Sequence, residues 1–525
     1  MQKNLSPAFE IRLADLMAAL SLATDLGMGQ PLEYATRSCI LSVHLGETLG
    51  LSKSELHEVY YLALLRFLGC NAGTHEQAAL MGDELALRAA TLPVYAGQQS
   101  QFMEALMGHM RTMNRNLSPA DFDRLMAQIY LTLPQVMQES SAGHCEVGQR
   151  LASRFGFDES MLQALGQAYE RWDGQGVPGG LSGEDIALSV RIVALAQDIV
   201  LFYRMGGNQM AVKVAKERAG HAHDPNIVEQ FCKQATHLLE GLEDEPSWEE
   251  ILSLEPDTHI TLSEEQFDTA CRAIADFVDI KSPYTLGHSS GVAELAAEAA
   301  RHCGLPEADV VTIRRAGMLH DVGRTGVSAG IWGKPGPLSE REWERVRLHP
   351  YYTERIFARP PALAYLGHLA AQHHERIDSS GYHRGSPATM LTPAARILAA
   401  ADVYHAMIEP RPHRSDLSPE AAAEELLREA HGGKLDSEAV RGVLAAAGHR
   451  VRTSGRSLVA GLSAREIEVL RLLARGHSKK EIAGLLTITE KTVDHHTQHI
   501  YTKIGVSTRA AAALFAMQYD LLTDM

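Results

Sequence analysis

Disulfide chemistry has little to work with in this 525-residue chain. Its six cysteines, Cys39, Cys70, Cys145, Cys232, Cys271 and Cys303, form no CxxC pair, which leaves neither a disulfide framework nor a thiolate zinc site. They read as reduced core residues. Long apolar runs are missing too. No stretch approaches about 18 uninterrupted apolar residues, and the opening MQKNLSPAFEIRLADLMAAL threads charges through its apolar positions. Neither a spanning helix nor a secretory signal is expected, so the protein is expected to be cytoplasmic with no membrane partner. Alternating β patterns are scarce and aromatics make up only 6%. What is present, 45% apolar residues with 22% charged, excludes wholesale disorder and a repetitive fibre. The length exceeds what one hydrophobic core sustains and predicts two to four domains.

The net charge of −16 conceals an asymmetry. From Arg450 onward, 11 Lys and Arg face 7 Asp and Glu, a balance of +4, which leaves −20 for residues 1 to 449. An acidic body is repelled by nucleic acid, whereas a small basic module docks on phosphates at short range. The charge therefore points to DNA only for the last 75 or so residues.

Apolar residues recur every three or four positions almost everywhere, as in GVAELAAEAARHCGL and AAAEELLREAHGG, which predicts an all-α protein. An acidic, proline-bearing stretch around residues 240 to 262 marks one domain boundary, and GHRVRTSGRS at 448 to 457 reads as an exposed linker. The two large segments are diverged repeats. A shift of 254 lays Leu65 and Gly69 over Leu319 and Gly323, and a shift of 205 lays Glu170-Arg171 over Glu375-Arg376, Gly176 over Gly381 and Arg191-Ile192 over Arg396-Ile397. The difference, 49, predicts an insertion of that size in the first copy between about residues 70 and 143.

The second copy carries His288, His320-Asp321, His349, His373-His374 and Asp402. Imidazoles and carboxylates together suit iron, manganese or zinc, and one carboxylate can bridge two ions. The first copy has Tyr34, Arg66, Phe67, His144, Ala168, Tyr169 and Gln197 at those positions. Six of seven candidate ligands are gone while the packing landmarks stay, so the set serves something other than the fold.

His288, His320-Asp321-Val322-Gly323-Arg324, His349, the run from His373 through Gly381-Tyr382-His383, and Asp402 together resemble an HD-GYP domain over roughly residues 263 to 425. The resemblance implies a helical domain that holds two divalent transition-metal ions, iron or manganese, and hydrolyses cyclic di-GMP or a related cyclic dinucleotide. Asp321 would bridge the ions, and His288, His320, His349, His373, His374 and Asp402 would fix them. Arg324 stands in place of the family's lysine; it keeps the positive charge but does not readily donate a proton. Gly381-Tyr382-His383 replaces Gly-Tyr-Pro, with Tyr382 on the substrate side, and Ser379 replaces a common glycine. Tyr284 occupies the place of the glutamate found in three-metal members, which implies a two-metal site. Arg411 and Arg414 match basic positions that bind the dinucleotide phosphates. The first copy resembles the same domain stripped of its chemistry, with sensing, dimerisation and scaffolding as its open roles.

At the C-terminus, Ser463-x-x-Glu466 and Ser478-x-x-Glu481 are capping boxes, each opening a short amphipathic helix. A third helix runs from Thr489 to Gly505 with polar and basic residues opposite a narrow apolar stripe, as a helix in the major groove requires. The ordered string from Leu462-Ser463 through Lys491-Thr492-Val493 and His496 to Lys503-Ile504-Gly505-Val506 resembles a LuxR-type helix-turn-helix. That resemblance implies that Lys480 and Lys491 contact phosphates, that Thr492, Val493, His496 and Lys503 lie on or near the reading face, and that the module acts as a homodimer.

The expected architecture is therefore all-α: a degenerate HD-GYP-like domain over 1–250, an HD-GYP phosphohydrolase domain over 258–445 and a small four-helix LuxR-type domain over 455–525. Two functions remain open. One is a DNA-binding regulator that hydrolyses a cyclic dinucleotide; the other is a regulator that only binds it. The ligand set favours turnover, and Arg324 with the altered loop favours binding alone.

Overall fold

The computed structural model describes residues 11–94, 99–256, 259–448, 460, 462–519 and 521–522. The linker expected at 448 to 457 lies, beyond Gly448, outside them. Among the described residues nearly all regular structure is helical, and the one sheet pairs Ile11–Arg12 antiparallel with Thr261–Leu262. The all-α expectation is met. No described helix is long and apolar enough to cross a membrane.

The chain divides into two compact units. The first comprises Met1–Cys70, Leu85–Ala270 and Arg359–Leu363, and the second Asn71–Glu84, Cys271–Ala358 and Ala364–Met525. In the first, helices Leu13–Gly27, Tyr34–Thr48, Lys53–Leu65 and Leu188–Arg218 pack on one another. Leu13, Leu16, Met17 and Leu20, spaced as one helical face, are fully buried. Buried side chains tie the described part of the stretch around 240 to 262 down: Arg12 and Tyr61 hold the buried Glu255 carboxylate at 2.6 Å each, and Trp248 donates to Asp15. A buried carboxylate needs such partners, and they keep this stretch in the first unit. The passage between units falls inside helix Glu264–Asp279.

In the second unit, helix His288–His302 packs against Glu307–Leu319, Pro393–Met407 and Ser437–Gly448. The same local devices recur in both units at the offsets read from sequence. Asp25 accepts from the Ala35 amide at the start of one helix, and Asp279 accepts from the Ser289 amide at the start of its counterpart, each satisfying a free helix N-terminal donor. Glu170 accepts from the Gly179 and Leu181 amides, and Glu375 from those of Arg384 and Ser386. Gly69 and Gly323 each lie so close to a helix carbonyl, of His144 and His349, that a Cβ would come within 1.9 Å of it. Side chains that organise backbone were kept in both copies. The inserted segment forms helices Thr74–Met81, Glu84–Thr91 and Gln99–Met113 and the first turns of Pro119–Arg154.

Candidate metal centre and nucleic-acid interface

Five helices or their ends deliver the seven candidate ligands, all of which lie in the second unit. His288 opens helix His288–His302, His320 and Asp321 follow the end of Glu307–Leu319, and His349 opens His349–Phe357. His373-His374 follows Pro361–Ala370, and Asp402 lies inside Pro393–Met407. Six of the seven are buried, and His374 is partly exposed.

The two carboxylates each face both ways. Asp321 Oδ2 lies 3.8 Å from His288 Nε2 and 3.4 Å from His320 Nε2, while its Oδ1 lies 3.4 Å from His349 Nε2 and 3.6 Å from His373 Nε2. Asp402 Oδ1 is 3.3 Å from His288 Nε2, and its Oδ2 is 3.7 Å from His374 Nδ1. Among the described residues three groups result, His288 with His320 and Asp321, His349 with His373 and His374, and His288 with His405 and Glu409, and Asp402 reaches the first two.

The imidazoles are oriented from behind. Nδ1 of His320, His349 and His373 lies 2.7, 2.6 and 2.7 Å from the carbonyl oxygens of Gly317, Val346 and Ala370. A nitrogen facing a carbonyl carries the proton, which leaves Nε2 of the neutral His349 and His373 as lone pairs aimed at the centre, while, against its burial, Asp321 raises His320. His349 Nε2 and His373 Nε2 then face each other at 3.1 Å, and His320 Nε2 is buried with no hydrogen-bond partner. The lone pairs of His349 and His373 converging with the Asp321 and Asp402 carboxylates are the donor set of a cation site, so the residues fit a metal.

The electrostatics divide the same way. Burial drives His349 down to about 4 and His373 down to about 3, and pushes His374 well below its ordinary value, so these three are neutral. Burial also opposes charge on His288, but Glu409 and Asp402 overcome it and raise the group to about 10. Against its own burial, Asp321 is held well below the carboxylate range by Arg324 and His320. Arg324 Nη1 lies 2.6 Å from Asp321 Oδ2, and its guanidinium carbon stands 3.9 Å above the Trp332 ring.

Sequence reasoning missed Glu409 and His405. Glu409 Oε2 takes His288 Nδ1 at 2.8 Å, and its Oε1 lies 3.1 Å from His405 Nδ1. The signal was there, since Asp402, His405 and Glu409 sit one helical turn apart in succession, but no repeat landmark drew attention to them. Arg411 pairs with Glu409 at 3.0 Å, and Arg414 donates to the carbonyls of Ala406, Met407, Glu409 and Ser415, clamping the turn. Both arginines thus spend donors within the protein, Arg411 also on the Tyr284 carbonyl at 3.3 Å. The Tyr382 ring lies 4.6 Å from that of His374, and burial raises its phenol.

In the first unit the matching positions bond to each other. Arg66 donates to Gln197 Oε1 at 2.6 Å and to the Ala168 carbonyl, Tyr34 donates to the Gln197 carbonyl, and His144 meets Tyr169 Oη at 3.1 Å. A fixed guanidinium and two phenols fill the space the second copy lines with ligands.

At the C-terminus, helices Ala464–Ala474, Lys479–Leu486, Glu490–Ile504 and Arg509–Gln518 appear, and both expected capping boxes form. Val493, Thr497, Ile500 and Ile504 make the buried stripe of the third helix. This corrects the expectation for Val493: fully buried, it backs the helix rather than reading a groove, because residues four and seven positions on share its face. Lys480 and Lys491 are exposed, His496 and Thr492 are partly so, and Lys503 is tied to Glu466 at 2.7 Å. The outward face also carries His495 and Gln498, which sequence reasoning passed over.

The chain matches the family model described as "HD domain" over residues 132–227 and 272–439, one segment in each copy, and that of "Bacterial regulatory proteins, luxR family" over 460–516. It is 32% identical over 409 residues to the 3'3'-cGAMP-specific phosphodiesterase 3 of Vibrio cholerae, covering 77% of this chain and 88% of that protein. Over 155 residues it is 36% identical to a cyclic di-GMP phosphodiesterase of Thermotoga maritima, covering 29% of this chain and 42% of that protein. A crystal structure of a cyclic GMP-AMP specific phosphodiesterase of V. cholerae superposes with a TM-score of 0.58 at 27% identity, over 85% of this chain and 100% of that one.

Proposed function

This chain belongs to the HD-GYP family of metal-dependent phosphohydrolases and carries a LuxR-type DNA-binding domain, and from that membership we propose that it hydrolyses a cyclic dinucleotide, cyclic di-GMP or 3'3'-cGAMP, with His288, His320, Asp321, His349, His373, His374 and Asp402 as ligands to two divalent ions. The observation that carries the reading is the convergence of those seven side chains on one centre, with the outer nitrogens of His320, His349 and His373 committed to carbonyls and that of His288 to Glu409. Iron or manganese bound there would supply Lewis-acid charge to the phosphodiester and make a water acidic enough to attack it.

The chain's own residues do the rest. Asp321, held ionised by Arg324, spans the first two donor groups and so fixes the spacing at which the scissile phosphate would sit. Arg324 keeps its proton and contributes charge rather than acid catalysis. Tyr382 and His374, ring against ring, form the wall on which a base would lie. The two downstream arginines, Arg411 and Arg414, would bind the dinucleotide phosphates, Arg411 in exchange for Glu409 and the Tyr284 carbonyl and Arg414 in exchange for its backbone carbonyls. The DNA-binding module, with Lys480 and Lys491 on phosphates and the face carrying His495, His496 and Gln498 toward the bases, acts as a homodimer on cytoplasmic DNA. The domain limits that go with this reading are 1–250, 258–445 and 455–525, with residues 71–84 added to the second.

The test is purified protein loaded with manganese or iron, incubated separately with cyclic di-GMP and 3'3'-cGAMP and analysed for a linear dinucleotide or mononucleotides. Product from either ligand is the expected result. Metal-loaded protein that binds nucleotide without turnover would leave the binding-only regulator.

A further inference from the structure

Residues 71–84 belong in sequence to the first half of the chain, yet they form part of the second unit. The chain leaves the first unit after Cys70, contributes this strap, and returns at Leu85. Its attachment is polar, and it is buried at Asn71, Thr74 and Glu84. Asn71 Nδ2 donates to the Phe277 carbonyl at 2.8 Å and Thr74 Oγ1 to the Lys281 carbonyl at 3.0 Å. Asp83 pairs with Arg345 at 2.5 Å. At the strap's end stands Glu84, with no exposed surface. Its carboxylate accepts from Ser328 Oγ at 2.5 Å, from the Ala329 amide at 2.8 Å and from Lys281 Nζ at 3.2 Å. A fully buried carboxylate with three donors is an anchoring point, because burial without them would be too costly.

What it anchors is the start of the short helix Ala329–Trp332, which Ser328 caps and Ile331 seats on Val327 and Val346. That helix ends in Trp332, whose ring carries the Arg324 guanidinium at 3.9 Å and meets the His349 ring edge-on at 5.6 Å between centroids. Arg324 in turn holds Asp321 at 2.6 Å. A line of contacts therefore runs from Glu84 through Ser328 and Ala329 to Trp332, and on to Arg324 and Asp321.

We propose that Glu84 is a positioning residue for the phosphodiesterase site, supplied by the half of the chain whose own site is plugged, so that the second copy is incomplete without a strap from the first. The inference rests on the phosphodiesterase reading for its kinetics. The degenerate copy then has a function that sensing does not require: it fixes Trp332 and, through it, the arginine that sets Asp321.

The experiment uses the full chain in four forms: wild type, Glu84→Gln, Trp332→Leu and the double variant. Each single change lowers kcat on the cyclic dinucleotide by about tenfold, the scale of a small misplacement of a reacting group, with KM and bound manganese within about twofold. The double variant falls no more than about twofold below either single, because both cut one line. A double variant about 100-fold below wild type, or Glu84→Gln at the wild-type rate, overturns the proposal. Should Glu84→Gln fail to unfold cooperatively, Ser328→Ala removes one donor only; about threefold loss of kcat, not added to that of Trp332→Leu, is expected, and additive losses overturn the proposal. A second readout needs no turnover. Trp332 emission, taken as the difference between each protein and its Trp332→Leu partner, shifts to longer wavelength in the Glu84→Gln background, and unchanged emission overturns the strap. If wild type does not hydrolyse either nucleotide while this shift appears, the phosphodiesterase reading fails and the strap stands.

Discussion

Gly323→Ala offers a way to disable the centre without touching a ligand. Gly323 lies two residues after Asp321, packed against the first turn of the helix that His349 opens. An added Cβ would stand 1.9 Å from the His349 carbonyl oxygen, 2.7 Å from the Thr353 amide nitrogen and 2.8 Å from the Tyr352 Cβ. Ordinary contact begins near 3.4 Å, so the backbones have to part by about 1.5 Å, the difference between 3.4 and 1.9. None of the three is a flexible side-chain end that can swing away. Overpacking of this kind costs about 1–3 kcal/mol in stability, but the larger effect is on the site, because His349 moves with its backbone and a misplacement of about 1 Å is worth about 100-fold in rate. Gly69→Ala is the matched control: its Cβ meets the His144 carbonyl oxygen at the same 1.9 Å in the first unit, where no ligand set exists. Manganese content, turnover and thermal unfolding would be measured on both. Gly323→Ala should lose metal and at least about 100-fold in turnover; Gly69→Ala should lower the unfolding temperature and keep its metal. Full metal and normal turnover in Gly323→Ala, or equal metal loss in the two variants, would refute the argument.

Three further outcomes follow from the same geometry. Glu409→Gln, which weakens the hold on His288 Nδ1, should reduce metal affinity about 10- to 100-fold in a chelator competition; unchanged affinity would remove Glu409 from the site. Lys491→Ala should weaken binding to all DNA sequences and lower the salt slope by about 1 in anisotropy titrations at several salt concentrations, whereas Gln498→Ala should change sequence preference; an unaltered slope would take Lys491 off the phosphates. Burial works to raise the Glu466 carboxyl, yet Lys503 and the Ser463 amide bring it to about 2, below the ordinary value of about 4.3. Its contribution to stability is then complete above the ordinary value and is lost as pH falls toward 2. Denaturant unfolding of Glu466→Gln should lose less stability than wild type between pH 5 and about 2.5, and parallel losses would contradict that pairing.

The sequence by itself determined the helical class and the duplication, and it picked out seven side chains that the fold brings together. Helical period and capping boxes act over a few residues, so Ser463 with Glu466 and Ser478 with Glu481 were legible directly. The duplication was legible because residues that organise backbone, such as Asp25 and Asp279 or Glu170 and Glu375, have partners at fixed short spacings. The seven candidate ligands stood out because one copy kept them and the other did not. Only the tertiary structure decided which side of a helix faces the core once polar and apolar residues crowd together, as with Val493. It alone brought Glu409 behind His288, 121 positions apart, and Glu84 under Ser328, 244 positions apart. A single carboxylate carries no periodicity and no motif; its role is fixed by the donors that folding brings to it, and those come from chain segments whose meeting no local pattern records.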